Sequence, residues 1–106
     1  MITYTDFNKL DIRIGKIVSA EKVKDTDKLL KLEVDLGFEK RNIVAGIAEL
    51  YEPEQVIAKE IPILLNLEPK NIRGIISHGM ILAVDVEGKP VLMHPEKEVP
   101  PGSKIR

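Results

Sequence analysis

Apolar and polar residues alternate with a period of two along several short segments of this chain. In residues 30–36, four apolar side chains alternate with three charged ones, and Gly37 follows. Such alternation is typical of a strand with one buried face that ends at a turn. Residues 38–47 return to strand character after this turn, so we expect the two segments to form a β-hairpin.

The segment before this hairpin, residues 11–23, changes phase within itself. Ile12 and Ile14 share one face, but the apolar pattern shifts after Gly15. A glycine at a phase change inside a strand indicates a bulge or a sharp bend. The polar residues 24–28 that follow predict a turn.

The second half of the chain is less regular. Pro53, followed by Glu54 and Gln55, predicts the first turn of a short helix. Strand character returns at residues 59–67, where Pro62 favours an edge strand or a strand start. The remaining segments are predicted as a loop (68–74), a strand (75–86), a turn (87–90), a short extended piece (91–94) and a proline-rich tail without helix (95–106).

These elements amount to five or six short strands, with one short helix between the third and the fourth. Closing a small antiparallel sheet into a barrel removes its exposed edges. The order agrees with an all-β OB-fold, a five-stranded Greek-key barrel. The 106 residues correspond to one domain, 1–106.

Composition restricts the classes of function. The net charge is −1, so bulk charge neither favours nor excludes nucleic acid, and only a local patch can bind it. The absence of cysteine excludes disulfides and thiolate chemistry and fits a reducing compartment. No apolar run is long enough for a membrane span, and the first residues lack the apolar core of a secretory signal. We therefore expect a cytoplasmic protein that does not enter a membrane.

The stretch Ser77-His78-Gly79 interrupts the strand predicted for residues 75–86 and is the first candidate for chemistry. Neighbouring residues of a strand point to opposite faces, so Ser77 and His78 cannot act as nucleophile and base. Ile75 stands where the hydrolase elbow needs a glycine. His78 and His94 have no recognisable zinc spacing, and no phosphate-binding loop is present. We expect no catalytic residue, metal or cofactor.

Basic residues concentrate around the first turn and the hairpin, with Asp25, Asp27 and Glu39 among them. Charge alone favours an ordinary solvated surface. The OB-fold favours nucleic acid, because its second and third strands and flanking loops bind oligonucleotides. Aromatic residues are only 4% of the chain, which disfavours a long platform of stacked bases. The basic residues in question are Lys22, Lys24, Lys28, Lys31, Lys40 and Arg41, together with Lys70 and Arg73 before the Ser77 stretch.

An ordered set of short motifs resembles one known family. The chain contains, in this order, D-I-R-I-G-K-I-V-S-A-E (11–21), D-T-D-K-L (25–29), V-D-L-G (34–37), I-V-A-G-I (43–47), N-L and R-G within 66–74, and S-H-G-M-I-L-A (77–83). From about Asp6 onward, the chain resembles the tRNA-binding domain that occurs free-standing, appended to methionyl-tRNA synthetase, or as that enzyme's β subunit. The same domain occurs in cofactors of multi-synthetase complexes.

The resemblance implies a non-catalytic OB-fold that binds tRNA by shape and backbone, largely without sequence specificity, and that assists a synthetase such as methionyl-tRNA synthetase. It also implies a homodimer. The family's Ser-x-Gly-Met motif falls on Ser77, Gly79 and Met80, which we expect to form an exposed contact with His78 on the opposite face. The complete set of expected tRNA-binding residues is Lys28, Arg41, Asn66, Lys70, Arg73, Ser77, Gly79 and Met80.

One departure from the family concerns the first loop. Val23 and Lys24 stand where the family often has His-Pro. A secretion-chaperone branch of the same fold, which binds peptide or protein, is the alternative. It resembles the front half of this chain and its E-V-P tail but typically lacks the Ser-x-Gly-Met motif, so the motif favours tRNA binding.

Overall fold

Nine strands and two very short helices make up the computed structural model, which describes all 106 residues. In chain order they are α1 (Tyr4–Phe7), β1 (Ile12–Lys22), β2 (Leu30–Asp35), β3 (Lys40–Ala45), α2 (Pro53–Val56), β4 (Glu60–Leu64), β5 (Lys70–Ile72), β6 (Ile75–Ser77), β7 (Met80–Ile81), β8 (Ala83–Val86) and β9 (Lys89–Leu92). Neither helix is long or apolar enough to cross a membrane.

Five strands form the main antiparallel sheet, in the order β3-β2-β1-β4-β7, and this sheet curls into a nearly closed barrel. Two separate hairpins, β5-β6 and β8-β9, extend from it. The helix α2 lies between the third and fourth strands, as the sequence predicts. The expected all-β OB-type barrel is confirmed. Its core is almost wholly aliphatic, since Ile, Leu and Val supply nearly all of the fully buried side chains.

The long strand β1 serves two neighbours, which requires it to bend. Its first half pairs with β4 and its second half with β2, and Lys16 pairs with both. Gly15 is buried at the bend, where a Cβ would lie 2.6 Å from Ile63 Cδ1. A β-bulge follows between Ile17 and Ser19. The phase change in the sequence therefore marks a real irregularity, displaced by a few residues.

The β2-β3 hairpin confirms the clearest sequence prediction. Leu30 faces Ala45 at one end and Asp35 faces Lys40 at the other. The N–H of Leu36 donates to the carbonyl of Glu39 (2.8 Å) and closes the turn. The alternation of residues 30–36 matches the alternation of buried and half-buried side chains along this strand.

The prediction that Pro62 marks an edge strand or a strand start is wrong, because β4 lies between β1 and β7 with Pro62 at its middle. Pro62 faces Ile14, whose N–H and carbonyl bond instead to Ser103 and Gly102 of the tail (2.9 and 2.7 Å). Pro62 therefore needs no N–H on its β1 side, and its carbonyl accepts from Leu82 on the other (3.0 Å).

Two further predictions for the second half are wrong. Residues 68–74 are not simply a loop, because β5 occupies 70–72 and pairs with β6. Residues 75–86 are not one strand, since the chain breaks into β6, β7 and β8 around Gly79 and Leu82. The nonhelical tail runs antiparallel beside the first half of β1, where Arg13 pairs with Lys104 and the N–H of Ile105 donates to the carbonyl of Ile12 (2.8 Å).

The helix α1 was not predicted from the sequence. A capping box holds it, in which the N–H of Asp6 donates to Thr3 Oγ1 and the N–H of Thr3 donates to Asp6 Oδ2 (both 3.2 Å). The hydrogen bond from the Thr3 backbone, with Lys9 beside it, lowers the pKa of the Asp6 carboxyl. The T-x-x-D spacing was the available signal, although four residues are too few for any apolar period.

Candidate nucleic-acid interface

Ser77 closes the barrel rather than facing solvent. The residue is only 4% exposed. Its Oγ accepts from the N–H of Val44 on β3 (3.0 Å) and donates to the carbonyl of Gly79 (3.2 Å). The next residue adds a main-chain link, from the N–H of His78 to the carbonyl of Asn42 (2.9 Å). The Ser77 side chain thus supplies a hydrogen bond between β3 and the β6-β7 segment.

The backbone conformation at position 79 and the close approach of β4 both require a glycine there. Its φ of +134° lies in a region that residues with a side chain rarely adopt. A Cβ at this position would lie 3.0 Å from the carbonyl oxygen of Leu64 on β4. The close backbone approach that the sequence suggested is therefore made by β4 of the same chain.

The exposure of Ser77 and His78 differs from the expectation. Ser77 is buried and His78 is exposed, the reverse of the predicted arrangement. The expectation that Ser77 is an exposed contact residue is wrong, because its hydroxyl is held between β3 and Gly79. Met80 is 46% exposed and remains available to a ligand.

Arg41 and Asn66 are also engaged inside the protein. The Arg41 guanidinium pairs with Glu39 Oε1 (2.9 Å) and donates from Nη1 to the carbonyl of Leu65 (2.8 Å). The Asn66 amide accepts from the N–H of Asp11 (2.8 Å) and donates to the carbonyl of Lys9 (2.6 Å). Arg41 joins β3 to the end of β4, and Asn66 joins that end to the N-terminal segment.

Four of the expected site residues line one cavity beside the closure of the barrel. Lys70 faces Ser77 across the β5-β6 pair, which places a lysine at the cavity rim. Four of its eight lining residues are apolar. The lining consists of Val44, Leu67, Glu68, Lys70, Ile72, Ser77, Gly79 and Met80.

Lys28 and Arg73 line a second, neighbouring cavity with Asp25, Thr26 and Asp27. Arg73 reaches it from the tip of the β5-β6 hairpin. There Arg73 and Gly74 both have positive φ (54° and 83°), as in the two-residue turns that suit hairpins. The hairpin thus links the two cavities, with Lys70 at its base and Arg73 at its tip.

The charges of these cations are not neutralised within the protein. All five ion pairs of the structure involve other basic residues. Lys28, Lys70 and Arg73 take part in none and are exposed. Asp25 and Asp27 reduce the local positive charge, but no carboxylate lies within ion-pair distance of the three. They are therefore free to meet an anionic backbone.

Sequence reasoning missed the β5-β6 hairpin that organises these residues. Its signal is the dipeptide Arg73-Gly74 between Ile72 and Ile75, because glycine suits the second central position of a two-residue hairpin turn. The Asn71 side chain accepts from the N–H of Gly74 (2.9 Å). The apolar cavity walls contributed by Val44 and Leu67 were missed as well, because they come from separate elements.

A second surface of the protein is apolar. It shares no residue with the cavity around Ser77 and lies where the N-terminal segment, the start of β1, β4 and the tail meet. Met1, Ile2 and Tyr4 are exposed nearby in sequence. Its apolar lining residues are Phe7, Ile12, Ile14, Pro62, Leu82, Met93, Pro95, Val99 and Ile105.

Comparison with known proteins gives a consistent result. The family model described as "Putative tRNA binding domain" matches residues 12–104. The methionine–tRNA ligase of Archaeoglobus fulgidus is 53% identical over 104 residues, which are 98% of this chain and 16% of that protein. The chain thus spans about a sixth of the length of this relative.

Two solved structures superpose over the whole chain. The MetRS related protein from Pyrococcus horikoshii has a TM-score of 0.95 at 37% identity, covering 100% of this chain and 98% of that one. The chaperone CsaA from Bacillus anthracis has a TM-score of 0.90 at 34% identity, covering 100% and 99%.

Proposed function

Because the chain belongs to the tRNA-binding domain family, we propose that it binds tRNA without catalysing a reaction and largely without reading its sequence. The observation that carries this proposal is the grouping of Lys70, Arg73 and Lys28 along one hairpin and one turn, beside the exposed Met80. The three basic side chains have no ion-pair partner in the protein, so phosphates are suitable partners for them.

The chemistry of this surface favours backbone contacts over base readout. Lys and Arg bind phosphate oxygens, which position a nucleic acid but carry no sequence information. No aromatic side chain lines either cavity, so bases have no stacking platform there. Met80 offers a soft apolar contact for a ribose or a base. Ser77, Gly79, Arg41 and Asn66 then act by holding this surface in shape.

We propose further that the bound tRNA is presented to an aminoacyl-tRNA synthetase, with methionyl-tRNA synthetase as the favoured partner. The support is the similarity to a methionine–tRNA ligase and to a MetRS related protein. We propose the cytoplasm as the place of action, because a protein without cysteine has no disulfides that would require an oxidising compartment. No cofactor is part of this proposal.

We also propose that the protein is a homodimer, with the apolar surface around Phe7, Ile14, Met93 and Ile105 as the interface. A small domain has difficulty burying all of its apolar side chains alone, and a self-complementary patch suits a two-fold axis. Light scattering at micromolar concentration should give about twice the chain mass of 11.9 kDa. A monomer at that concentration would contradict the dimer without touching the tRNA surface.

The second candidate function is a chaperone-like, peptide-binding module. The observation in its favour is the close superposition on the chaperone CsaA. The apolar surface is also the kind of surface that an unfolded peptide would occupy. The two candidates differ in the surface used, because tRNA needs the cations and a peptide needs the apolar residues.

A gel-shift titration with bulk tRNA, repeated with an unfolded peptide as competitor, tests the proposal. We expect a tRNA complex that the peptide does not displace, and purified protein with a raised 260/280 nm absorbance ratio from bound RNA. Peptide binding without a tRNA shift would favour the chaperone-like function instead.

A further inference from the structure

Lys28, in the turn that follows β1, lines two cavities. The turn holds it in place, because its N–H donates to Thr26 Oγ1 (3.2 Å) and its carbonyl accepts from the N–H of Ala48 (3.0 Å). One is the cavity that Lys28 shares with Arg73, as described above. The other, called the Lys89 cavity below, is lined by Lys28 with Gly46, Ile47, Glu49, Leu50, Gly88, Lys89 and Pro90.

The β8-β9 hairpin contributes Gly88, Lys89 and Pro90 to the Lys89 cavity, and its tip has the same backbone conformation as that of β5-β6. Glu87 and Gly88 have positive φ (52° and 80°), matching the pair Arg73 and Gly74. The Asp85 side chain accepts from the N–H of Gly88 (2.7 Å). Side-chain hydrogen bonds therefore hold the backbone of both tips in place before any ligand binds. Each tip shares one cavity with Lys28.

Lys89 is the basic residue that this second tip provides. It is exposed and forms no ion pair. Glu49 is the only acidic residue that lines the cavity, against Lys28 and Lys89. Asp85 and Glu87 belong to the same hairpin but do not line it. The cavity thus has two unpaired cations, and two of its lining residues, Gly46 and Gly88, have nothing within 4 Å of the position that a Cβ would take.

We propose that Lys89 extends the RNA-binding surface, so that one RNA backbone runs from Arg73 across Lys28 to the tip of β8-β9. The expected ligand is a length of RNA backbone with several phosphates, because the three cations come from three separate segments, the turn after β1, the tip of β5-β6 and the start of β9, rather than from one pocket. This inference rests on the proposed tRNA-binding function and adds a residue outside the Ser-x-Gly-Met motif.

The test compares Lys89→Ala with Lys97→Ala in tRNA titrations across a salt series. Lys97 is a matched control, since it is exposed, forms no ion pair and lies near His94 on the tail, away from both hairpin tips. If Lys89 neutralises one phosphate, its loss should weaken binding and reduce the slope of log K against log salt by about one unit. Lys97→Ala should leave the slope unchanged.

A change of the opposite sign provides a second measurement. Glu49→Gln removes the acidic charge from the cavity and should tighten tRNA binding, whereas Glu54→Gln on α2 should leave it unchanged. Equal effects within either pair of variants would overturn the inference, because bulk charge would then explain them.

The failure of this inference is distinguishable from that of the proposed function. If the unmodified protein binds tRNA with a salt-dependent affinity, and Lys89→Ala behaves like Lys97→Ala, only the extension to β8-β9 is wrong. If the unmodified protein binds no tRNA, both proposals are wrong. A reduced slope for Lys89→Ala but not for Lys97→Ala, together with tighter binding for Glu49→Gln but not for Glu54→Gln, supports both.

Discussion

Gly79→Val should strongly destabilise the protein, before any question of tRNA affinity arises. The φ of +134° is strained for valine, at a cost of about 1–3 kcal/mol. The new Cβ would also press on the carbonyl oxygen of Leu64 at 3.0 Å, and such overpacking typically costs a further ~1–3 kcal/mol. For a domain of this size, each kcal/mol lowers the melting temperature by about 4–8 °C.

Thermal unfolding followed by circular dichroism measures this effect, with Gly46→Val as the control. Gly46 is exposed, and nothing lies within 4 Å of a Cβ built on it. Its substitution should therefore change the free energy of unfolding by roughly half a kcal/mol or less. A Gly79→Val protein with an unchanged melting temperature and lost tRNA affinity would contradict this account, and would restore Gly79 as the point where RNA approaches.

The affinity for tRNA should fall steeply as salt is raised. Each phosphate neutralised by Lys or Arg releases counterions and contributes about −0.7 to −0.9 to the slope of log K against log salt. Lys28, Lys70 and Arg73 together should therefore give a slope of about −2 to −3 for one protomer. This corresponds to a loss of at least about tenfold in affinity between roughly 50 and 200 mM salt.

Arg73→Ala should reduce this slope by about one unit, because Arg73 has no partner in the protein and stands at an exposed hairpin tip. Arg106→Ala is the matched control, since Arg106 is also exposed and unpaired but lies at the end of the tail. Fluorescence anisotropy of labelled tRNA supplies both slopes. A flat salt response would rule out binding through the phosphate backbone.

Much of the barrel was predictable because its signals are local. The alternation of residues 30–36 fixes β2, and the turn at Gly37 fixes its hairpin with β3. Pro53 marks the first turn of α2. The position of Pro62 was not predictable. Its partner Ile14 donates its N–H to Ser103 of the tail, about forty residues away from Pro62 in sequence, and therefore needs no hydrogen bond from Pro62.

The sequence predicted which residues gather at the candidate site, but it did not predict which of their side chains are buried. The structure places Ser77, Gly79 and Met80 of the motif at one cavity with Lys70, which was predicted separately as a basic residue of the preceding loop. Alternation predicts that Ser77 and His78 face opposite ways, but it does not say which of the two is buried, and the strand already ends at Ser77. The roles of Arg41 and Asn66 depend on the carbonyls of Leu65 and Lys9, and no sequence pattern reports such contacts.

Amide chemical-shift mapping during a tRNA titration is the most direct measurement of the central claim. If tRNA binds along the β5-β6 hairpin and the turn after β1, the amides of Lys28, Arg73 and Met80 should shift or broaden first. The amides around Phe7 and Ile105 on the apolar surface should not respond beyond a uniform effect of size. Perturbations confined to that apolar surface, with Lys28, Arg73 and Met80 unchanged, would contradict the assignment of the tRNA-binding site.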